Sequence, residues 1–247
     1  MASLYLVDDL AGVRPGDVVS LDGAEGRHAV TVARIRQGEA LRIGDGRGTV
    51  VSGAVAEVGR DALTLAVRSV DVEPEGSPRL VLVQALAKGG RDEMAVQAAT
   101  EIGVDGVVPW SAARSVSRWE GPKTEKGRAR WGAIVREAAK QSLRARVPDV
   151  GPLVTTATLA DGAGLPPSTT VLVLDPLAEQ PLSSVAVPEG AGAIALVVGP
   201  EGGIADTEFD RLTDAGATRV RLGASVLRTS TAGPAALAVL QARLGRW

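Results

Sequence analysis

The sequence contains no cysteine, only one histidine and very few aromatic residues. Without cysteine the chain cannot form disulfides or thiolate metal sites, a composition that fits a reducing compartment. A single histidine, His28, cannot build a metal cluster or a two-histidine acid–base site, so we expect no bound metal. Aromatic residues make up 2% of the 247 residues, and the core must therefore consist mainly of Val, Leu, Ile and Ala.

Long hydrophobic segments are missing as well. The first residues, MASLYLVDDLAGVRPGD, lack the basic stretch and long apolar run of a secretory signal peptide. The least polar later run, residues 181–200, is interrupted by Pro188, Glu189 and several glycines, and it is too short to cross a bilayer. The sequence therefore predicts a cytoplasmic protein.

Basic residues are concentrated in one segment, although the whole chain carries a net charge of −2. Residues 113–147 contain ten Lys or Arg and three acidic residues, whereas the rest of the chain contains 17 basic and 26 acidic residues. This segregation favours a surface that binds a polyanion. A solvated helix face is the alternative, and charge alone does not separate the two.

The first part of the chain, residues 1–72, has the pattern of a small β-barrel or sandwich. Alternating or β-branched runs separated by Gly and Asp turns predict strands at 17–21, 40–44, 49–58 and 62–70. The segment GDGRG at 44–48 predicts a hairpin, because a strand follows it where a dinucleotide fingerprint would need a helix. A proline-containing acidic stretch predicts a linker at 73–78.

Strands and helices alternate from residue 79 onward. Apolar runs predict strands at 79–86, 104–110, 170–175, 193–199 and 218–223, and helices at 91–103, 129–145, 206–216 and from about Thr231 to Leu244. Such alternation is typical of a parallel sheet with helices on both faces. In the second helix Arg136, Lys140 and Arg144 recur at intervals of four residues and predict a basic stripe.

Three predicted strands end in unusual loops. These are LDP at 174–176, GPEGG at 199–203 and LGASVLRTSTAGP at 222–234. In open α/β sheets, ligands lie beyond the carboxyl ends of the strands, and glycines allow a ligand to approach the backbone closely. The loops together predict a binding pocket, with an incidental tight turn as the alternative for GPEGG. No Walker A or G-x-S-x-G motif assigns a more common chemistry.

The motifs LVVGPEGG at 196–203 and RLGASVLRTSTA at 221–232 resemble the signature of SPOUT methyltransferases. Over nearly its full length the chain is similar to the ribosomal RNA small subunit methyltransferase E family, through RHAVTVARIRQGEALRIGDGRG at 27–48, AKGGRDEMAVQAATEIGVDGVVPW at 87–110 and REAAKQSLRARVP at 136–148. The resemblance implies a PUA-like RNA-binding β-barrel at 1–72 and an α/β domain at 79–247 with a parallel sheet and a trefoil knot. It also implies a homodimer.

The resemblance further implies S-adenosylmethionine as cofactor and N3 of a uridine in 16S rRNA, position 1498 in rRNA numbering, as target. The cofactor residues that it implies are Leu174, Val198, Gly199, Pro200, Glu201, Gly202, Gly203, Leu222, Gly223, Val226 and Leu227. The implied RNA contacts are Arg27, Arg34, Lys88, Arg91, Arg136, Lys140, Arg144 and Arg146. Arg228 is the candidate catalytic residue, with phosphate binding or helix stabilisation as the alternative, and Glu201 is a candidate base or helix cap.

One departure from the family pattern is Ser230, which stands where the family has glutamate. We expect this serine to cap the last helix. If the departure abolished cofactor binding, the protein would be a non-catalytic RNA-binding or ribosome-assembly factor. Another α/β nucleotide enzyme with a β-barrel appendage is the third interpretation, and cofactor binding separates the first interpretation from the other two.

Overall fold

A computed structural model describes residues 4–188 and 190–247 of the chain. The chain divides into two compact units: one contains the chain up to Glu75 together with Ala139–Val147, and the other contains Gly76–Ala138 and Pro148–Trp247. The boundaries drawn from the sequence at 72 and 79 stay a prediction. They differ from the compact units chiefly in Ala139–Val147, which the sequence alone assigns to the second domain.

The first unit contains a five-stranded sheet in the order β1-β3-β4-β5-β2. Its strands are β1 (Leu4–Leu6), β2 (Val18–Leu21), β3 (Ala40–Gly44), β4 (Thr49–Val58) and β5 (Leu63–Val72). The predicted hairpin at 44–48 joins β3 to β4, which pair antiparallel. Alternate residues of these strands form the core, as the two-residue period of a half-buried strand requires. Helix α1 (Gly23–Arg27) and a π-helical turn (His28–Val32) were not predicted.

The second unit contains a sheet in which every strand pairing is parallel. Its strands are β6 (Arg79–Ala85), β7 (Gly106–Ser111), β8 (Asp149–Val150), β9 (Val154–Thr155), β10 (Thr169–Leu174), β11 (Ala193–Val198) and β12 (Thr218–Val220). The order is β12-β10-β11-β6-β7-β8, and β9 also pairs with β7. All six residues of β11 are buried, which explains why it reads as a continuous apolar run.

The helices are α2 (Arg91–Ile102), α3 (Pro122–Gln141), α4 (Thr156–Ala160), α5 (Asp206–Asp214) and α6 (Thr229–Arg243). Helix α2 ends where predicted because Gly103 adopts the left-handed conformation that closes a helix. Helix α3 begins and ends earlier than the predicted 129–145. None of the helices among the described residues is long and apolar enough to span a membrane.

The start of α6 differs from its prediction. The helix begins at Thr229, two residues before the expected Thr231, so Ser230 lies inside the helix and is not its cap. Pro234 consequently lies in the second turn, where its missing N–H leaves the helix without one i to i−4 hydrogen bond. A Cβ added to Gly233 would lie 2.8 Å from Leu82 Cδ1, so glycine lets α6 pack closely against β6.

Lys140 lies in a buried ion pair of the first unit. Its Nζ is 2.8 Å from Glu25 Oε1, and the two side chains are 7% and 15% exposed. The prediction that Lys140 belongs to an exposed basic stripe is therefore wrong. The interval of four residues was correct for a helix, but α3 ends at Gln141 and its last residues pack inside the first unit.

Removal of this buried cation should destabilise the protein. We expect Lys140→Ala to lower the free energy of unfolding by about 3 kcal/mol, because the Glu25 carboxylate would lose its buried counter-charge. Urea-induced unfolding of the full chain measures the change, with Lys126→Ala, at an exposed position of α3, as the matched control. Unchanged stability combined with a large loss of RNA affinity would restore the interpretation of Lys140 as an RNA contact.

Candidate functional site

A cavity of about 840 Å³ lies in the second unit, at the carboxyl ends of β10, β11 and β12. The three strands are neighbours in a parallel sheet, so the three loops that follow them meet at one edge. The predicted site residues that line the cavity are Leu174, Val198, Gly199, Pro200, Glu201, Gly203, Leu222, Gly223, Val226, Leu227 and Arg228. Gly202 does not line the cavity. It faces Arg114, and a Cβ added to Gly202 would lie 3.1 Å from the Cβ of Arg114.

Two of these loops are joined by buried hydrogen bonds through Thr229. The Thr229 hydroxyl donates to the carbonyl oxygen of Gly199 at 2.8 Å and accepts from Gln84 Nε2 at 2.8 Å. Gln84 is fully buried and also donates to the carbonyl oxygen of Ala85. Because the single hydroxyl proton points to Gly199, the amide nitrogen of Gln84 must face Thr229. Neither residue was predicted from the sequence, although one glutamine inside the apolar run LVLVQAL was a visible signal.

The arginines that line the cavity differ in their partners. Arg219 Nε lies 2.8 Å from Asp175 Oδ2, and its guanidinium lies 4.4 Å from the ring centre of Phe209. Arg114 donates to two backbone carbonyl groups of the loop that follows β11. Arg228 is exposed, and no hydrogen-bond or ion-pair partner of its guanidinium lies within the described ranges 4–188 and 190–247.

The position of Arg228 favours an anionic ligand. Arg228 is the N-cap of α6, where the partial positive charge of the helix N-terminus disfavours a cation. Its side chain lines the same cavity as Gly199 and Leu222. An arginine at this place gains little electrostatic stabilisation from the protein itself. Its guanidinium is suited to face negative charge on a bound molecule.

Glu201 is engaged by two donors from the segment that follows β6. Its Oε1 accepts from the backbone N–H of Lys88 at 3.2 Å and from Arg91 Nη1 at 2.8 Å. Burial raises the pKa of this carboxyl, but hydrogen bonds from its own N–H, from Arg91 and from Lys88 outweigh burial and hold the pKa below its usual value. A carboxylate held in this way is a weak base.

The interpretation of Glu201 as a helix cap is wrong. At the start of α5 the carboxylate of Glu208, and not that of Glu201, accepts from the backbone N–H of Ala205.

The predicted RNA contacts differ in their surroundings. Arg27, Arg34 and Lys88 are exposed, Arg136 and Arg144 are half-buried, and Arg91 pairs with Glu201. Arg146 is half-buried and donates to the carbonyl oxygen of Glu73.

Comparison with known proteins decides the family. A family model described as an RNA methyltransferase domain matches residues 74–241, and one described as an RNA methyltransferase PUA domain matches residues 21–68. The ribosomal RNA small subunit methyltransferase E of Mycobacterium bovis is 44% identical over 249 residues, which covers 100% of this chain and 94% of that protein. The chain belongs to the ribosomal RNA small subunit methyltransferase E family.

Further members of the family agree with this assignment. The Bacillus subtilis protein of the same name is 30% identical and covers 90% of this chain and 88% of its own length. The crystal structure of the Neisseria gonorrhoeae enzyme bound to S-adenosylmethionine superimposes with a TM-score of 0.86 at 28% identity, covering 98% of both chains. A putative methyltransferase of Legionella pneumophila in complex with the same cofactor gives a TM-score of 0.85.

The protein is therefore an S-adenosylmethionine-dependent rRNA methyltransferase with a SPOUT-type α/β domain and a PUA-like domain. This sets aside the interpretations as a non-catalytic factor and as an unrelated nucleotide enzyme. The trefoil knot and the homodimer stay predictions.

The cavity fits the cofactor in size and in chemistry. Its volume lies within the roughly 300–1,000 Å³ of small-molecule sites. Apolar walls such as Leu174 and Val198 suit the adenosine, and the backbone of the glycine loops can bond its polar edges. Asp206 also lines the cavity, and among the described residues its carboxylate has no hydrogen-bond or ion-pair partner, so it is suited to the cofactor's positive charge.

Glu201→Gln separates a structural role of this carboxylate from a role as base. The glutamine keeps one oxygen for the N–H of Lys88, so we expect methylation at saturating substrates to fall by less than about tenfold, and the pH dependence of the rate to keep its shape. Steady-state kinetics between pH 4 and 9 measure both. A loss of about a hundredfold or more, together with disappearance of the acidic limb of the pH profile, would identify Glu201 as the base.

Proposed function

We propose that the protein methylates N3 of a uridine in the 16S rRNA of the small ribosomal subunit, at the position numbered 1498 in rRNA numbering. The observation that carries the proposal is Arg228, a cation that has no partner among the described residues and lies on the wall of a cavity that fits the cofactor. N3 of uridine carries a proton at neutral pH, and its removal places negative charge on O2 and O4. A guanidinium directed at one of these oxygens would stabilise that charge.

The protein contributes mainly placement and electrostatics. The bound cofactor supplies an electrophilic methyl group on a positively charged sulfur. The loops after β10, β11 and β12 would fix its orientation, because methyl transfer is an in-line displacement that depends on alignment with N3. The target base has to leave its stack to reach the cavity, and the exposed Arg27, Arg34 and Lys88 are proposed to hold the RNA backbone.

A homodimer is part of the proposal. Leu177, Val226 and Leu227 line the cavity although they are 86%, 77% and 38% exposed. A second chain seated over them would bury this apolar surface and would complete the cavity around the cofactor. This arrangement explains why large apolar side chains remain at the edge of a polar loop.

The trefoil knot is also proposed, since two contacts tie the C-terminal segment to the loop that follows β10. Arg221 donates its N–H to the carbonyl oxygen of Gln180, and its own carbonyl oxygen accepts from Leu182. Arg243 of α6 donates to the carbonyl oxygens of Leu182 and Val185.

We further propose a cytoplasmic location, which follows from the proposed ribosomal substrate.

The methylated nucleoside tests the proposed function. Small subunits that lack the modification are incubated with the protein and tritiated S-adenosylmethionine, and the rRNA is digested to nucleosides. We expect the label in 3-methyluridine from a single position. Label in a carbon-methylated or ribose-methylated nucleoside, or in several positions, would contradict the proposal.

Arg228→Ala tests the proposed catalytic residue. If the guanidinium acts on the transition state, single-turnover methylation at saturating RNA should fall by roughly two to three orders of magnitude, the range for loss of one preorganised donor. Cofactor affinity, measured by calorimetry, should remain near that of the parent. Arg211→Ala, at an exposed position of α5, is the matched control. A saturated rate equal to that of the parent with weaker RNA binding would make Arg228 a phosphate anchor.

A further inference from the structure

A second cavity, of about 410 Å³, lies in the same unit beside the start of α2. Its walls come from the segment Ala87–Gly90, from the loop residues Val116, Ser117 and Trp119, and from Gly127 and Arg130 of α3. Both loops also reach the cofactor cavity, one through Arg91 and the other through Arg114. The same two chain segments therefore contribute residues to both cavities.

An indole ring is held in place on one wall of this second cavity. Trp119 lies so close to Gly127 that a side chain at position 127 would overlap the ring. Its edge meets the buried Trp131, with ring centres 5.4 Å apart and planes at 77°. Trp119 is only half-buried, and the neighbouring Val116 is 67% exposed. A fixed, partly exposed aromatic ring is the kind of surface on which unstacked nucleobases are bound.

Another part of the lining is a glycine segment whose backbone is held in place. Gly89 and Gly90 both have positive φ angles, of 66° and 70°, and an added Cβ at Gly89 would meet no atom within 4 Å. The buried carboxylate of Asp92 accepts from the N–H of Ala87 and from the N–H of Glu93, which holds the segment in place. The backbone at Gly89 is thus open to a bound group.

Two carboxylates, of Asp92 and Glu93, and two cations line the cavity, and one of the cations is available to a phosphate. Lys88 is exposed, and within 4–188 and 190–247 no carboxylate pairs with its ammonium group. Arg130 is also exposed but is neutralised by an ion pair with Glu93. Among the described residues that line the cavity, Lys88 is therefore the cation that remains available to a bound phosphate.

We propose that this second cavity binds a nucleotide adjacent to the target uridine, with its base stacked on Trp119 and its phosphate at Lys88. The inference rests on the proposed function, since it requires an RNA whose target base enters the neighbouring cofactor cavity. The shared loops supply the continuity: Lys88 faces the second cavity, while its backbone N–H bonds to Glu201 of the cofactor cavity. Occupation of one cavity would therefore align the RNA for the other.

Variants of the two recognition residues test the proposal kinetically. We expect Trp119→Leu to lower kcat/KM for unmethylated small subunits by roughly 5- to 100-fold, the range for loss of one base–aromatic stack. Trp119→Phe should recover most of this loss because phenylalanine also stacks. Lys88→Ala should lower kcat/KM and weaken its dependence on salt, whereas Lys126→Ala, a lysine of α3 outside the cavity, should have no effect. The cofactor affinity should be the same in all four variants.

Fluorescence gives a second readout that needs no catalysis. Trp110 and Trp131 are buried, and Trp247 is 67% exposed. In the Trp247→Phe variant, Trp119 is therefore the tryptophan that a ligand reaches. Oligouridylate should quench the fluorescence of this variant saturably, and the further change Lys88→Ala should abolish the quenching. If quenching occurs but the parent does not methylate subunits, the proposed function fails and the nucleotide site stands.

Three results would overturn the inference while leaving the proposed function intact. The first is a kcat/KM of Trp119→Leu and Lys88→Ala within twofold of the parent. The second is an absence of quenching at saturating oligouridylate from a protein that methylates subunits. The third is a shift of Trp119→Leu from dimer to monomer in light scattering, which would assign the cavity to a subunit contact. If Trp119→Leu melts at a markedly lower temperature than the parent, Lys88→Ala alone decides whether the inference holds, because the side chain of Lys88 is exposed and its removal should not disturb the fold.

Discussion

The proposed cofactor cavity depends on one buried hydroxyl group, that of Thr229. It joins β6, the loop after β11 and the start of α6, because it accepts from Gln84 and donates to Gly199. Each partner is buried or backbone, so loss of the hydroxyl would leave polar groups unsatisfied away from water. The first residue of α6 fixes where the preceding loop ends, and this loop contributes Leu222, Val226 and Arg228 to the cavity.

The glycines of the GPEGG loop serve three different purposes. A Cβ at Gly199 would lie 2.6 Å from Ile204 Cγ1, one at Gly202 would contact Arg114, and Gly203 has a positive φ of 74°. The loop is therefore packed closely from within the protein and is also bent sharply. Its backbone is left as the wall of the cavity, which suits a cofactor that needs hydrogen bonds from neutral groups. Within the loop, charge enters through Glu201, whose carboxylate is held by Arg91 and by the backbone N–H of Lys88.

Much of this arrangement could be predicted from the sequence. The strand runs at 40–44 and 49–58 match β3 and β4 residue for residue. The meeting of three loops followed from a general property of parallel sheets, whose strands end at one edge. Contacts between residues far apart in sequence could not be predicted in this way. Gln84 and Thr229 are 145 positions apart, and no local pattern relates them.

The prediction for Lys140 shows a second limit of inference from sequence. Its spacing from Arg136 identified a helix face correctly, but the spacing does not say whether solvent or another segment lies over that face. Here the last residues of α3 belong to the first compact unit, where a carboxylate of α1 pairs with the lysine. The predicted cap at Ser230 was wrong for a related reason: the helix begins one residue earlier, at Thr229, whose hydroxyl makes a tertiary hydrogen bond that no local pattern predicts.

The most direct test of the central claim is the affinity of Thr229→Val for S-adenosylmethionine, measured by isothermal titration calorimetry. Valine keeps the shape of threonine but removes the hydroxyl, so we expect the affinity to fall about tenfold or more while the fold persists. Thr231→Val, at an exposed position of the same helix, should bind like the parent. An unchanged affinity in Thr229→Val would show that the cavity does not depend on this hydroxyl or is not the cofactor site.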